Sequence, residues 1–160
     1  MVPERIRRLD RAGYTLPELL VVMAVIAILT TIGVPYLNSF YNSMKLRSGA
    51  DELATVLNSG RYLAIKQNTN VCVIMSGTVL QYWTGTNGAC GGGALYIGQG
   101  TRSDGNIPLQ NTMDVSASTS SVVFTNLGAA RQGGTYTVRN PIDGHTLTVT
   151  VSGSGRITIP

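Results

Sequence analysis

The chain has 160 residues, of which 43% are hydrophobic and only 12% charged, with a formal net charge of +4, one histidine and two cysteines. Half of that net charge sits in the first thirteen residues, so the basic balance does not by itself argue for a nucleic-acid-binding protein. About 120 residues follow the first long apolar stretch, which suits one compact domain.

Residues 1–13 carry Arg5, Arg7, Arg8 and Arg11 against Glu4 and Asp10, and an almost wholly apolar stretch follows at once. That order reads as a targeting leader. No charge occurs from Leu19 to Val34. A helix over 14–37 would be ~36 Å long, enough to cross a ~30 Å hydrocarbon core. The flanking arginines are expected to stay on the cytoplasmic side of the inner membrane, with everything after about Asn38 facing outward. No A-x-A pattern ends the apolar stretch, which argues against ordinary signal cleavage. Glu18 stands alone at its start, where an unpaired carboxylate would cost roughly 2 to 3 kcal/mol in lipid. Such a charge calls for a partner.

Gly13-Tyr14-Thr15-Leu16-Pro17-Glu18-Leu19-Leu20-Val21-Val22 resembles the leader and cleavage motif of type IV prepilins and type II secretion pseudopilins. The resemblance implies that prepilin peptidase cuts between Gly13 and Tyr14 and methylates the new amine of Tyr14. It implies that Glu18 pairs with a neighbouring subunit's N-terminal amine, and that the chain assembles with other pilins or pseudopilins. Tyr14 replaces the commoner phenylalanine, and Pro17 replaces an aliphatic residue. Pro17 is tolerable in a first helical turn, where its missing donor would be unpaired anyway. Pro35 lies inside the apolar stretch, where a proline is expected to bend or locally open the rod, which in this family corresponds to a segment that can melt within the filament. A plain signal anchor holding an unrelated domain would explain the hydropathy but not the spacing of glycine, proline and glutamate.

Leu46, Ala50, Leu53, Leu57, Gly60 and Ala64 recur at steps of four and three, with Lys45, Ser48, Glu52, Thr55, Ser59 and Lys66 between them. This predicts an amphipathic helix with one buried face. One long helix is expected from about Thr15 to Gln67, ended by Asn68-Thr69-Asn70. Val71–Met75 and Val79–Trp83 read as a hairpin. Cys72 and Cys90 face an oxidising compartment, so a disulfide is the expected state, closing a loop of ~19 residues for ~3 kcal/mol. Two buried free thiols are one alternative. A metal pair is another, but it needs more ligands than His145 supplies.

Further strands are expected at 95–97, 121–125, 134–139, 146–151 and 156–159, with Gly98–Ser120 as a long surface excursion. The division is thus a leader (1–13), a transmembrane or filament-core helix (14–37), its amphipathic half (38–68) and a β-rich globular domain (69–160). The fold class is α+β, a long N-terminal helix packed on an antiparallel sheet, as in the pilin fold.

The helical segment around Leu53 to Ala64, the Val71-Cys72 strand, Phe124-Thr125-Asn126-Leu127-Gly128-Ala129 and Val151-Ser152-Gly153-Ser154-Gly155-Arg156-Ile157 resemble the minor pseudopilin H and FimT-like minor pilin family. The likeness implies a minor subunit. Some FimT-like members bind DNA through a GRxR motif, of which Gly155-Arg156-Ile157-Thr158 keeps only the first arginine. Arg131, Arg139 and Arg156 could converge on one face as phosphate contacts, or be solvated strand and turn charges. His145 has neither a carboxylate pair nor a serine elbow with it, and Gly91-Gly92-Gly93 lacks the lysine of a phosphate cradle. No enzyme activity, cofactor or metal is expected.

Overall fold

The computed structural model describes residues 14–77, 79–88, 90–109, 113–119 and 121–160. The leader, including Gly13, lies outside the described residues. The chain divides into two compact units, one ending at Ser39 and the other comprising Phe40–Pro160.

Helix α1 runs over Leu16–Gln67 and contributes to both units. It starts where the Thr15 carbonyl accepts the amides of Glu18 and Leu19, each at 3.1 Å. The acid in its first turn, Glu18, and the base in its last, Lys66, both suit the helix dipole. The end follows from Asn68, whose φ of 51° is left-handed and which asparagine tolerates better than most residues. The amides of Asn68 and Thr69 then reach back to the carbonyls of Ile65 and Ala64. At Pro35, where a bend or local opening is expected, the backbone is α-helical on both sides. Proline has no N–H to donate, so the helical bond at that position is missing.

In the second unit every position of the predicted apolar stripe is buried, from Leu46 through Ala64, together with Gly49 and Leu63. Two antiparallel sheets receive it. The first joins β1 (Val71–Ser76), β2 (Val79–Thr84), β3 (Ala94–Leu95) and β6 (Ser121–Phe124) in the order β3-β2-β1-β6, and β4 (Asn106–Pro108) also pairs with β2. The second has the order β5-β7-β8-β9, from Asp114–Ala117, Gly134–Arg139, Thr146–Val151 and Ile157–Thr158. Leu53, Leu57, Phe124 and Tyr136 are the largest fully buried side chains of the single core that the helix and both sheets share.

The segment 98–120 is not the surface excursion that its composition suggests. It supplies β4 and β5, and Ile107 and Met113 enter the core, with Ile107 opposite Leu80 of β2. Strand pairing overrides a polar composition here, because two well-placed apolar side chains suffice to bury a short edge strand. Gly60 shows how closely α1 approaches the first sheet: a Cβ there would lie 2.6 Å from Val73 Cγ2 and 3.2 Å from Tyr82 Cε1. Tyr82 fills the same contact and donates its hydroxyl to the Val56 carbonyl at 2.7 Å. Burial holds that phenol above its ordinary pKa.

Cys72 and Cys90 form a disulfide with their Cα atoms 5.4 Å apart. It ties the fully buried β1 cysteine to the loop after β2, whose entry is also held by Gly85 donating to the Asn70 carbonyl at 3.0 Å.

Candidate assembly helix and basic end

In the first unit the apolar side chains have no core to enter. From Tyr14 to Ser39 all are exposed except half-buried Gly33, including Leu19, Leu20, Ile28, Leu29 and Ile32. By length and composition the helix can cross a membrane. The hydroxyls of Thr30 and Thr31 are already satisfied for such a setting: that of Thr30 donates to the carbonyls of Ile26 and Ala27, and that of Thr31 to Ala27 at 2.8 Å. Glu18 is exposed in the first turn, four residues after Tyr14. Thr15 and Glu18 also have the spacing of a capping box. Over the described residues the rod thus presents exposed apolar side chains with one carboxylate, Glu18, in its first turn.

In the second unit the three arginines considered for DNA do not converge. Arg131 and Arg156 share one end of the domain, where the Ala130 amide donates to the Gly153 carbonyl at 3.1 Å and the Arg131 amide to the Val123 carbonyl at 2.9 Å. Arg139 ends β7, five strand positions from Gly134, whose partner Val151 lies beside that end. The separation along the strand is ~17 Å. Across the sheet Arg139 faces Asp114 on β5, so its nearest strand partner of opposite sign is an acid rather than a phosphate.

Arg61, which sequence reasoning did not single out, belongs to the Arg131–Arg156 end instead. Its Nε donates to the Gly128 carbonyl at 2.8 Å, a contact across 67 residues that no local pattern signals. Gly155 seats against the same carbonyl, with φ of 79° and no room for a Cβ. The glycine of the Gly155-Arg156 pair is therefore demanded by packing, and Arg156 follows from a turn in which its amide donates to Ser152 Oγ at 3.2 Å.

His145 closes an exposed turn by donating its amide to Asp143 Oδ1 at 3.0 Å and accepting from the Asn140 amide at 2.9 Å. Among the described residues no group of three or more His, Cys, Asp or Glu side chains could hold a metal ion.

An exposed apolar helix at the start of the described residues, and a helix packed on antiparallel sheets in the second unit, define a type IV pilin-like subunit. The model of the type II transport protein GspH family matches residues 49–155, and that of the prokaryotic N-terminal methylation motif matches residues 8–34. The chain belongs to the GspH family.

Its fold is similar to that of the type IV minor pilin FimU of Pseudomonas aeruginosa, with a TM-score of 0.53 and 18% identity over 76% of this chain and 92% of that one. It is also similar to the minor pseudopilin EpsH of the Vibrio cholerae type 2 secretion system, with a TM-score of 0.57 and 12% identity over 72% and 96%. The solution structure of Escherichia coli GspH gives a TM-score of 0.56 and 15% identity over 75% and 89%. At these identities the likeness concerns the fold. No curated relative matches the sequence.

Proposed function

We propose that the chain is a minor pilin or pseudopilin, cleaved by prepilin peptidase between Gly13 and Tyr14 and methylated on Tyr14. It is held in the inner membrane by residues 14–37 with its folded unit outside the cytoplasm, and then passes into a pilus or a periplasmic pseudopilus. The observation that carries this reading is the methylation motif over residues 8–34, followed along α1 by apolar side chains that stay exposed as far as residue 37. In this reading Glu18 neutralises the N-terminal amine of a neighbouring subunit, since two opposite charges in a low-dielectric seam pair far more favourably than either stays alone. Pro35, one bond short, is the point at which the rod yields during packing. No observation favours the DNA-receptor reading, because Arg139 stands apart from Arg131 and Arg156.

The test is N-terminal sequencing of the mature chain, expected to begin at Tyr14, with Gly13→Ala or a bulkier substitution leaving it uncleaved. A different start refutes the assignment. Glu18→Ala is expected to insert and be cleaved yet enter filaments poorly; normal entry would show that the carboxylate is dispensable.

A further inference from the structure

The second unit opens on a group of side chains that its own core does not use. Phe40, Tyr41 and Met44 are 59%, 60% and 55% exposed, and the Lys45 ammonium lies 4.6 Å from the centroid of the Tyr41 ring. Spacings of four place Phe40 with Met44 and Tyr41 with Lys45 on adjacent stripes of α1. The buried stripe of this helix begins only at Leu46 and continues through Gly49, Ala50 and Leu53, on the other side. Arg47, the next cation, is engaged elsewhere: Nε is 3.7 Å from Asp51, and Nη1 donates to the Pro160 carbonyl at 3.3 Å.

We infer that Phe40, Tyr41, Met44 and Lys45 form a collar that seats in the phospholipid headgroup region of the outward leaflet while the subunit waits in the membrane. This rests on the membrane-inserted reading above. Three observations select lipid as the occupant. First, residues 19–37 make ~28 Å of apolar helix, close to the ~30 Å of a hydrocarbon core, and the collar follows immediately in sequence. Second, its composition is that of an interface: aromatic rings, one carrying a hydroxyl, settle at headgroup depth, whereas close helix–helix seams favour small residues. Third, the Lys45 ammonium sits over the Tyr41 ring, and a long lysine side chain can keep that charge at the polar boundary, where it complements an anionic phospholipid phosphate. A collar at this point sets how far the outward end of the membrane helix can sink into the bilayer.

The experiment uses the full chain, expressed with a prepilin peptidase and reconstituted one per nanodisc in phosphatidylethanolamine and phosphatidylglycerol. Phe40, Met44 or Tyr62 is replaced, one at a time, by the photoreactive benzoylphenylalanine. Tyr62 is an equally exposed aromatic further along α1 and serves as the reference. On irradiation, lipid adducts at positions 40 and 44 are expected to exceed those at 62 at least tenfold. Lys45→Glu is expected to lower the phosphatidylglycerol share of the adducts at 44 at least twofold. Equal adducts at all three positions, or in native membranes adducts to another protein in place of lipid, overturn the collar; an unchanged phosphatidylglycerol share overturns the role given to Lys45. N-terminal sequencing of the same samples separates the two readings. A chain that begins at Tyr14 but gives no lipid adduct at 40 overturns the collar alone, and an uncleaved chain overturns the processing reading.

Discussion

Helix α1 carries apolar side chains on both sides of Ser39, and the two units treat them in opposite ways. Leu46, Leu53 and Leu57 vanish into a core shared with two sheets, whereas Leu20, Ile28 and Leu29 remain open. The hydrophobic effect acts on both sets, because area removed from water is worth roughly 25 cal/mol per Å² wherever it is removed. What differs is the partner. The second unit supplies its own, and the first must find lipid or neighbouring subunits. Apolarity alone therefore does not reveal whether a helix stabilises its own fold or an assembly.

That comparison breaks most visibly under truncation. Leu57→Ala is expected to lower the unfolding free energy of the domain by about 2 to 5 kcal/mol in denaturant titration, while Ile26→Ala should leave it unchanged within about 0.5 kcal/mol. A large effect at Ile26 would mean that the first unit stabilises the second. Next in size is the disulfide, which joins two parts of the second unit only. Its reduction should cost the domain ~3 kcal/mol, read as a fall in Tm, and should leave insertion of the chain into membranes untouched.

Two glycines on the same helix sharpen the contrast. Nothing lies within 4 Å of a Cβ built at Gly33, while at Gly60 it would meet Val73 and Tyr82 inside 3.3 Å. Gly33→Ala is expected to add up to ~1 kcal/mol of local helix propensity, without change in the domain. At Gly60 the same substitution should destabilise by ~1 to 3 kcal/mol, since buried neighbours cannot yield freely. Equal responses in domain unfolding would refute the close approach.

The smallest effect concerns Tyr136, whose hydroxyl is fully buried and has no hydrogen-bond partner among the described residues. Tyr136→Phe should raise stability by up to ~1 kcal/mol, because it removes an unpaired polar atom. Burial pushes that phenol up to about 12. A group whose pKa is raised on folding stabilises fully below its unfolded value of ~10, and that stability is lost as pH rises toward 12, by ~1.4 kcal/mol per unit. Wild-type stability should therefore fall in this window, and the phenylalanine variant should fall less steeply. Tyr82, raised in the same direction, supplies the remaining slope.

Much of this molecule could be read before any fold was known. The apolar rod, the stripe from Leu46 to Ala64, the helix stop at Asn68 and the strands 134–139 and 146–151 all follow from short-range rules, and the motif around Glu18 is legible as a family resemblance. Charge order, helical or strand period and turn chemistry act within a few residues, so a single sequence carries them. Only the tertiary structure decided that Ile107 and Met113 draw segment 98–120 into the core, that Arg139 faces Asp114 rather than Arg131 and Arg156, and that Arg61 caps the Gly128 carbonyl beside Gly155. Each of these depends on pairing between distant segments, which composition and spacing do not encode. The same holds for the fate of α1 itself: its apolar side chains stay exposed early in the helix and enter a core only from Leu46 on, where the sheets receive them.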